Sequence, residues 1–297
     1  MNEIIKRLQL YQPSNVKKNF LPIGRLNYEC PPEIDFSELT NCTKYSFGPH
    51  KVTFYYKTEN SDEYFSYVDR LLWLLQPNKP LIADILLTSA KKFYPKHKVF
   101  GPSNVNTGYS SNKIVVYRKE EWFKVFIHEC FHFFHYEHVL FDSSLPKRIL
   151  DLFPVDSEVN LYESYCEVWA RTLNCCMISV CKHIPLETLL YHEKKYSIRH
   201  MVNVLKHMGL TYNKIQKLCN YKEETNVLSY VVLTAILMYQ DFITQHLSMM
   251  PSFTLTNSEP YVHFIEQNYR NPSFLDAVSH VRPRVTTTMS FYDITKM

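Results

Sequence analysis

Glycine is scarce in this 297-residue chain, at five, and positive charge never gathers into a run. Lysine and arginine occur as scattered pairs such as Lys17-Lys18, Lys91-Lys92 and Lys194-Lys195. A net charge of +4 spread in that way makes no polyanion footprint, so nucleic acid is not an expected partner. The first residues, MNEIIKRLQLYQ, have no apolar core of the kind a secretory signal needs. The most apolar run, Val227 to Tyr239, is closed off by Gln240 and Asp241 and is too short to span a bilayer. It reads as a buried helix. No CxxC pair occurs among the eight cysteines, which argues against a thiolate metal site at Cys175, Cys176 and Cys181. These absences point to a cytoplasmic protein with free, buried thiols and no membrane partner. There is no internal repeat and no low-complexity linker.

What is present is the composition of a folded globule, 45% hydrophobic and 21% charged, heavy in aromatic residues. Residues 1–40 are punctuated by proline and read as an irregular N-terminal segment. A hairpin is expected over Tyr45 to Lys57 with its turn at Gly48-Pro49. A helix over Asp62 to Gln76 takes Asp62 as its N-cap. Pro80 to Thr88 and Lys113 to Arg118 read as strands, joined by the polar loop GPSNVNTGYSSN. Helices are expected over Glu120 to about Leu140, Asp156 to Cys181, Pro185 to His207, Tyr212 to Cys219 and Thr225 to Leu247. Strands first and helices after give an α+β fold, a small mixed sheet followed by a mostly helical C-terminal half. The main domain spans 41–250, and 251–297 form a C-terminal extension packed on it.

The stretch FIHECFHFFHYEH carries His128-Glu129-Cys130-Phe131-His132, the pattern H-E-x-x-H. On a helix, residues four apart share a face, so both imidazoles reach one ion, while Glu129 sits one step round, beside a water on that ion. Trp122, Phe123, Val125, Phe126, Ile127, Phe131, Phe133 and Phe134 make the helix apolar almost all round, hence buried. Two histidines and a glutamate on such a helix must find partners or cost several kcal/mol in desolvation. A metal ion and its water satisfy all three. Cys130 falls on the far side of the helix and reads as a core thiol.

With its strand KIVVYR leading into the histidine helix, the chain resembles the zincin metallopeptidases over about residues 80 to 175. More loosely, NTGYSSNKIVVYRKEEWFKVFIHECFH is similar to uncharacterised zinc-peptidase-like proteins of large DNA viruses. The resemblance implies a zincin-like fold, one Zn2+ per chain, a peptide or protein substrate and a third protein ligand. The gluzincin pattern would supply Glu163, with Cys166 as the small residue and Glu167 as an acid orienting a ligand histidine. A variant takes Glu167 itself as ligand, with Ala170 as the small residue and Arg171 at the acid position. Glu163, Glu167 and Arg171 could equally form an exposed charge ladder. The metzincin pattern would instead supply His138, but its helix-breaking glycine is His135 here, which is expected to tolerate the turn poorly. In either case the resemblance makes Glu129 the general base of a metallopeptidase. It also implies an oxyanion donor, for which Tyr230 is a candidate beside His192 and His200. A zincin-fold binding protein without activity is the alternative from another class.

Overall fold

The computed structural model describes residues 1–249 and 252–297. Strands β1 (Val16–Phe20), β2 (Asn41–Phe47), β3 (His50–Tyr56), β4 (Ile82–Leu86), β5 (Gly108–Ser110) and β6 (Ile114–Val116) form one mixed sheet in the order β1-β2-β3-β4-β6-β5. The β2–β3 hairpin turns at Gly48-Pro49 as expected, and Gly48 takes the left-handed φ of +50° that favours glycine. β3, β4 and β6 run parallel, while β5 returns antiparallel along β6 at the sheet edge. Alternate residues of the central strands reach opposite faces. Val52, Phe54, Ala83, Ile85, Ile114 and Val116 join the main core, whereas Leu86, Val115 and Tyr117 face a smaller cluster with Ile34 and Leu39. Burial on both faces explains why PLIADILLT reads as a continuous apolar run rather than an alternation.

The remaining elements are helical and cover one face. They are α1 (Asn2–Gln9), α2 (Ser61–Leu75), α3 (Pro102–Val105), α4 (Trp122–Phe134), α5 (Leu145–Leu152), α6 (Leu161–Lys182), α7 (Leu186–His207) and α8 (Tyr212–Ile215). A π-helical turn (Leu228–Leu233) then leads into α9 (Thr234–Tyr239), followed by α10 (Phe242–Met249), α11 (Glu259–Asn268) and α12 (Pro272–Ser279). The fold is α+β: three helices lie before or among the strands, and everything described after β6 is helical or irregular.

Several boundaries differ from the sequence expectation. Residues 1–40 contribute α1 and β1, and the polar loop before β6 contains edge strand β5. Asn60, not Asp62, caps α2, its side chain accepting from the amides of Asp62 and Glu63, while Asp62 pairs with Lys18 at 2.7 Å. The helix expected from Asp156 begins at Leu161. The helix expected over 225–247 is interrupted by the π turn and by Asp241 at φ +61°. Helix α4 is shorter at both ends than expected, because Glu121 and His135 both adopt left-handed backbone, at φ +58° and +57°.

Aromatic stacking locates α4. Trp122 at its start stacks on Tyr64 of α2 with centroids 5.1 Å apart, and Phe131 near its end stacks on Trp169 of α6 at 5.7 Å. The C-terminal strap then crosses the start of α4. Glu121 Oε1 accepts the amides of Met289 and Ser290 at 2.8 and 2.6 Å, and Glu193 Oε2 accepts the Phe291 amide at 2.9 Å and the Ser290 hydroxyl at 3.1 Å.

Burial pushes the Glu193 carboxyl up from 4.5 to about 7, against the opposing pull of Arg171. A carboxyl raised on folding binds more protons in the native state, so its contribution is complete below pH 4.5 and is lost as pH rises through 7. Glu193→Gln should therefore flatten the fall in stability between about pH 4.5 and 7. The difference from the parent is expected to reach at most about 1.4 kcal/mol per pH unit in urea denaturation. Parallel profiles would count against it.

Candidate metal centre

Helix α4 packs against β5, β6 and α6, so its histidine face looks toward the first turns of α6. There three atoms converge. His128 Nε2 and His132 Nε2 are 3.0 Å apart, and Glu163 Oε2 lies 3.2 Å from the first and 3.1 Å from the second. Two imidazole nitrogens at that distance share at most one proton, yet both also face the same carboxylate oxygen. A single cation satisfies all three lone pairs. Ligands about 2.0–2.1 Å from a tetrahedral ion stand about 3.3 Å apart, so this triangle is a slightly compressed face of such a site. An ion held by these three atoms would keep a fourth position for a water or substrate. His128, His132 and Glu163 could thus hold a metal ion.

Each imidazole is backed at its other nitrogen by a carboxylate. Glu167 Oε2 lies 3.2 Å from His128 Nδ1, although off the ring N–H direction. Glu137 Oε1 lies 3.0 Å from His132 Nδ1. Carboxylates at both Nδ1 positions favour the tautomer that leaves Nε2 free to ligate. Glu167 is itself fixed. Lys124 Nζ donates to both its oxygens at 3.0 Å and Arg171 Nε to Oε1 at 2.8 Å, and all three side chains are buried. Glu163, Glu167 and Arg171 are therefore no exposed ladder, and the oxygens of Glu167 are engaged by cations rather than aimed at the triangle. Asn226 Nδ2 donates to Glu163 Oε1 at 3.1 Å, turning Oε2 toward the imidazoles.

His135 does make the turn that its side chain was expected to resist. The Tyr136 amide bonds Phe131 O at 3.1 Å and the His135 amide bonds His132 O at 3.0 Å, a Schellman closure with the Tyr136 ring packed edge-on against Phe131 at 5.1 Å. The turn swings back Glu137, however, not His138. His138 is exposed and outside the triangle. Glu137 and Asn226 escaped the sequence reading. The aromatic pair five residues apart, Phe131 and Tyr136, was the available signal for the first, and nothing local marks the second.

Glu129 and Tyr230 line the same cleft as the triangle. Burial raises the Glu129 carboxyl above the ordinary range. It raises the Tyr230 phenol too, with the Glu163 and Glu129 charges adding to the effect, and that ring sits 5.7 Å from His128. For Glu163, burial alone would raise the carboxyl, but the two imidazoles reverse this and hold it well below the usual range. His192 bonds the Tyr292 hydroxyl at 2.7 Å, and His200, pushed down to about 3 by burial and by Arg171 and Lys92, stacks near Tyr196. Neither lines the cleft. All eight cysteines are free, five buried and three half-buried. His132, Glu137 and Cys166 form a second cluster of possible ligand atoms, with Cys166 Sγ 3.6 Å from His132 Nδ1. Burial drives the Cys166 thiol far up, so it stays protonated, and the cluster serves as the backing of His132.

In a Zn2+ titration against a chromophoric chelator, Glu163→Ala should abolish tight binding and His138→Ala should leave it unchanged. Glu137→Ala should weaken it by about 10- to 100-fold, the usual effect of losing a carboxylate behind a ligand histidine. Loss of zinc in His138→Ala alone would overturn the assignment. No family model, curated protein or solved structure matches the chain, so nothing about this centre is inherited from a relative.

Proposed function

We propose that the protein is a zinc-dependent peptidase of gluzincin type, with a zincin-like fold and a peptide or protein substrate. The observation that carries this reading is the cleft itself: one concavity of about 390 Å³ is lined by His128, His132, Glu163, Glu129 and Tyr230 and by edge strand β5. A purely structural ion has no use for a buried, unpaired general base beside it. Two nitrogens and one carboxylate oxygen with an open fourth position suit zinc. Bound there, zinc supplies Lewis acidity, lowering the pKa of a water and polarising a carbonyl oxygen.

The chain's own residues divide the remaining work. Glu129 takes the proton from the attacking water and returns it to the leaving amine. Its raised proton affinity, caused by burial, favours the first of these transfers. Tyr230 stays protonated and donates to the oxyanion that develops on the substrate carbonyl. Residues Gly108, Tyr109 and Ser110 of β5 border the cleft from the sheet edge, where backbone groups can pair with an extended peptide. Glu167 and Glu137 hold the imidazoles in place throughout. The eight free cysteines suit a reducing compartment, and we infer a cytoplasmic location; among the described residues no helix is long and apolar enough to cross a membrane.

Zinc per chain in untagged protein purified without chelator comes first, with about one equivalent expected. Glu129→Gln should then keep that zinc while hydrolysis of a mixed peptide substrate falls by at least about 100-fold. Equal turnover in the variant would remove Glu129 from the mechanism, and no turnover in the zinc-loaded parent would leave a zinc-binding protein of another kind.

A further inference from the structure

Beyond the metal triangle the cleft continues into a second, narrower cavity. The two adjoin through Asn106, Gly108, His128, Glu129 and Tyr230, which line both. The inner cavity measures about 50 Å³ and is otherwise walled by Val105, Thr107, Val125, Met289 and the Lys124–Glu167 ion pair. An apolar cavity of about 150 Å³ accepts a benzene ring. One a third that size has room for a short aliphatic or hydroxyl side chain only. Its charged wall is already neutralised, since Lys124 Nζ holds both Glu167 oxygens. An anionic side chain entering would be desolvated beside Glu129 with no free cation to meet it.

Met289 is the wall residue contributed by the C-terminal segment. It arrives on the C-terminal strap and is 5% exposed. Methionine is ordinarily an adaptable filler, but here the strap is pinned on both sides of the pocket. The Met289 and Ser290 amides are held by Glu121, the Phe291 amide by Glu193, and Thr288 O by the Tyr196 hydroxyl at 2.8 Å. The thioether therefore closes the cavity from a fixed backbone position.

We propose that this inner cavity receives the substrate side chain next to the scissile bond, that it admits small side chains, and that Met289 sets the size limit. The proposal rests on the peptidase reading above. Binding of succinyl hydroxamates to the zinc-loaded full-length protein tests it without requiring turnover. These probes chelate the ion and carry a methyl, isobutyl or benzyl group on the carbon that enters the cavity. The parent should bind the methyl probe at least about tenfold more tightly than the benzyl probe, within the range by which one methylene changes pocket affinity. Met289→Ala should bring the two within about threefold of each other, and Met289→Leu should keep the parent's ratio. Should Met289→Ala fail to fold, Met289→Val reads the same ratio with a buried aliphatic group retained. Equal affinities in the parent, or an unchanged ratio in the shortened variants, would overturn the proposal. Selection for the methyl probe with no peptide cleaved would sink the peptidase reading and leave the pocket standing. Cleavage with no preference for small side chains would do the reverse.

Discussion

Glu167 is the residue on which the arrangement depends, although it stands behind His128 rather than at the triangle. A buried carboxylate costs several kcal/mol in lost hydration and persists only with close cations and satisfied oxygens. Lys124 from α4 and Arg171 from its own helix supply both, so the pair of helices that carries the site is locked by charge as well as by the Phe131–Trp169 stack. The linkage continues. Arg171 bonds the Ser197 hydroxyl at 2.9 Å, Ser197 bonds the Glu193 carbonyl at 2.9 Å, and Glu193 grips the strap. Glu121, at the start of α4, pairs with buried Lys92 and grips the strap from the other side. Removing Glu167 leaves Lys124 and Arg171 buried without their shared carboxylate, the kind of loss that typically costs about 3–5 kcal/mol. The position of His128 is thus fixed by groups that reach as far as residue 291.

Four glutamates surround two histidines here, and their environments separate them. Glu163 faces two imidazoles, Glu167 faces Lys124 and Arg171, and Glu137 faces His132. Glu163 and Glu167 are held well below the usual carboxyl range by these partners. Glu129 makes no ion pair among the described residues and is the one of the four facing the cleft whose carboxyl burial raises. Groups of identical chemistry pushed apart in proton affinity are what an acid–base reaction requires of its site. In the proposed hydrolysis, three of the four position the metal and one moves the proton.

Much of this was legible in the sequence because it lies on regular periods. The two histidines and Glu129 follow from helical spacing, the central strands from short apolar runs, and the hairpin from Gly48-Pro49. Glu163 and Glu167 were named through a resemblance rather than a period, and the structure brings one to the triangle and the other to its back. The end of α4 was misread because the rule for a left-handed cap asks for glycine. Here the ring of Tyr136 against Phe131, with the Leu255 amide on Tyr136 O at 2.8 Å, stabilises a histidine in that conformation. Tertiary contact outweighed local preference. Asn226, Met289 and the strap were invisible for a simpler reason, since their partners lie 63 and more residues away and no local pattern marks them.

That last contrast bears on how the site is built. Residues that would touch the ion sit on α4 and α6, rigid elements whose faces are set by short-range spacing. Residues that shape the cleft around it come from edge strand β5, the π turn and the strap, all irregular or at the margin of the fold. The π turn illustrates the division. A wider turn places Tyr230 toward the cleft and its carbonyl toward Arg171, at 3.4 Å, from one residue. An ideal α-helix through Leu228–Leu233 would rotate the following side chains out of register with that arrangement. The departure from regular geometry is what lets a buried apolar helix present a phenol to the cleft while its backbone helps hold the cation behind Glu167.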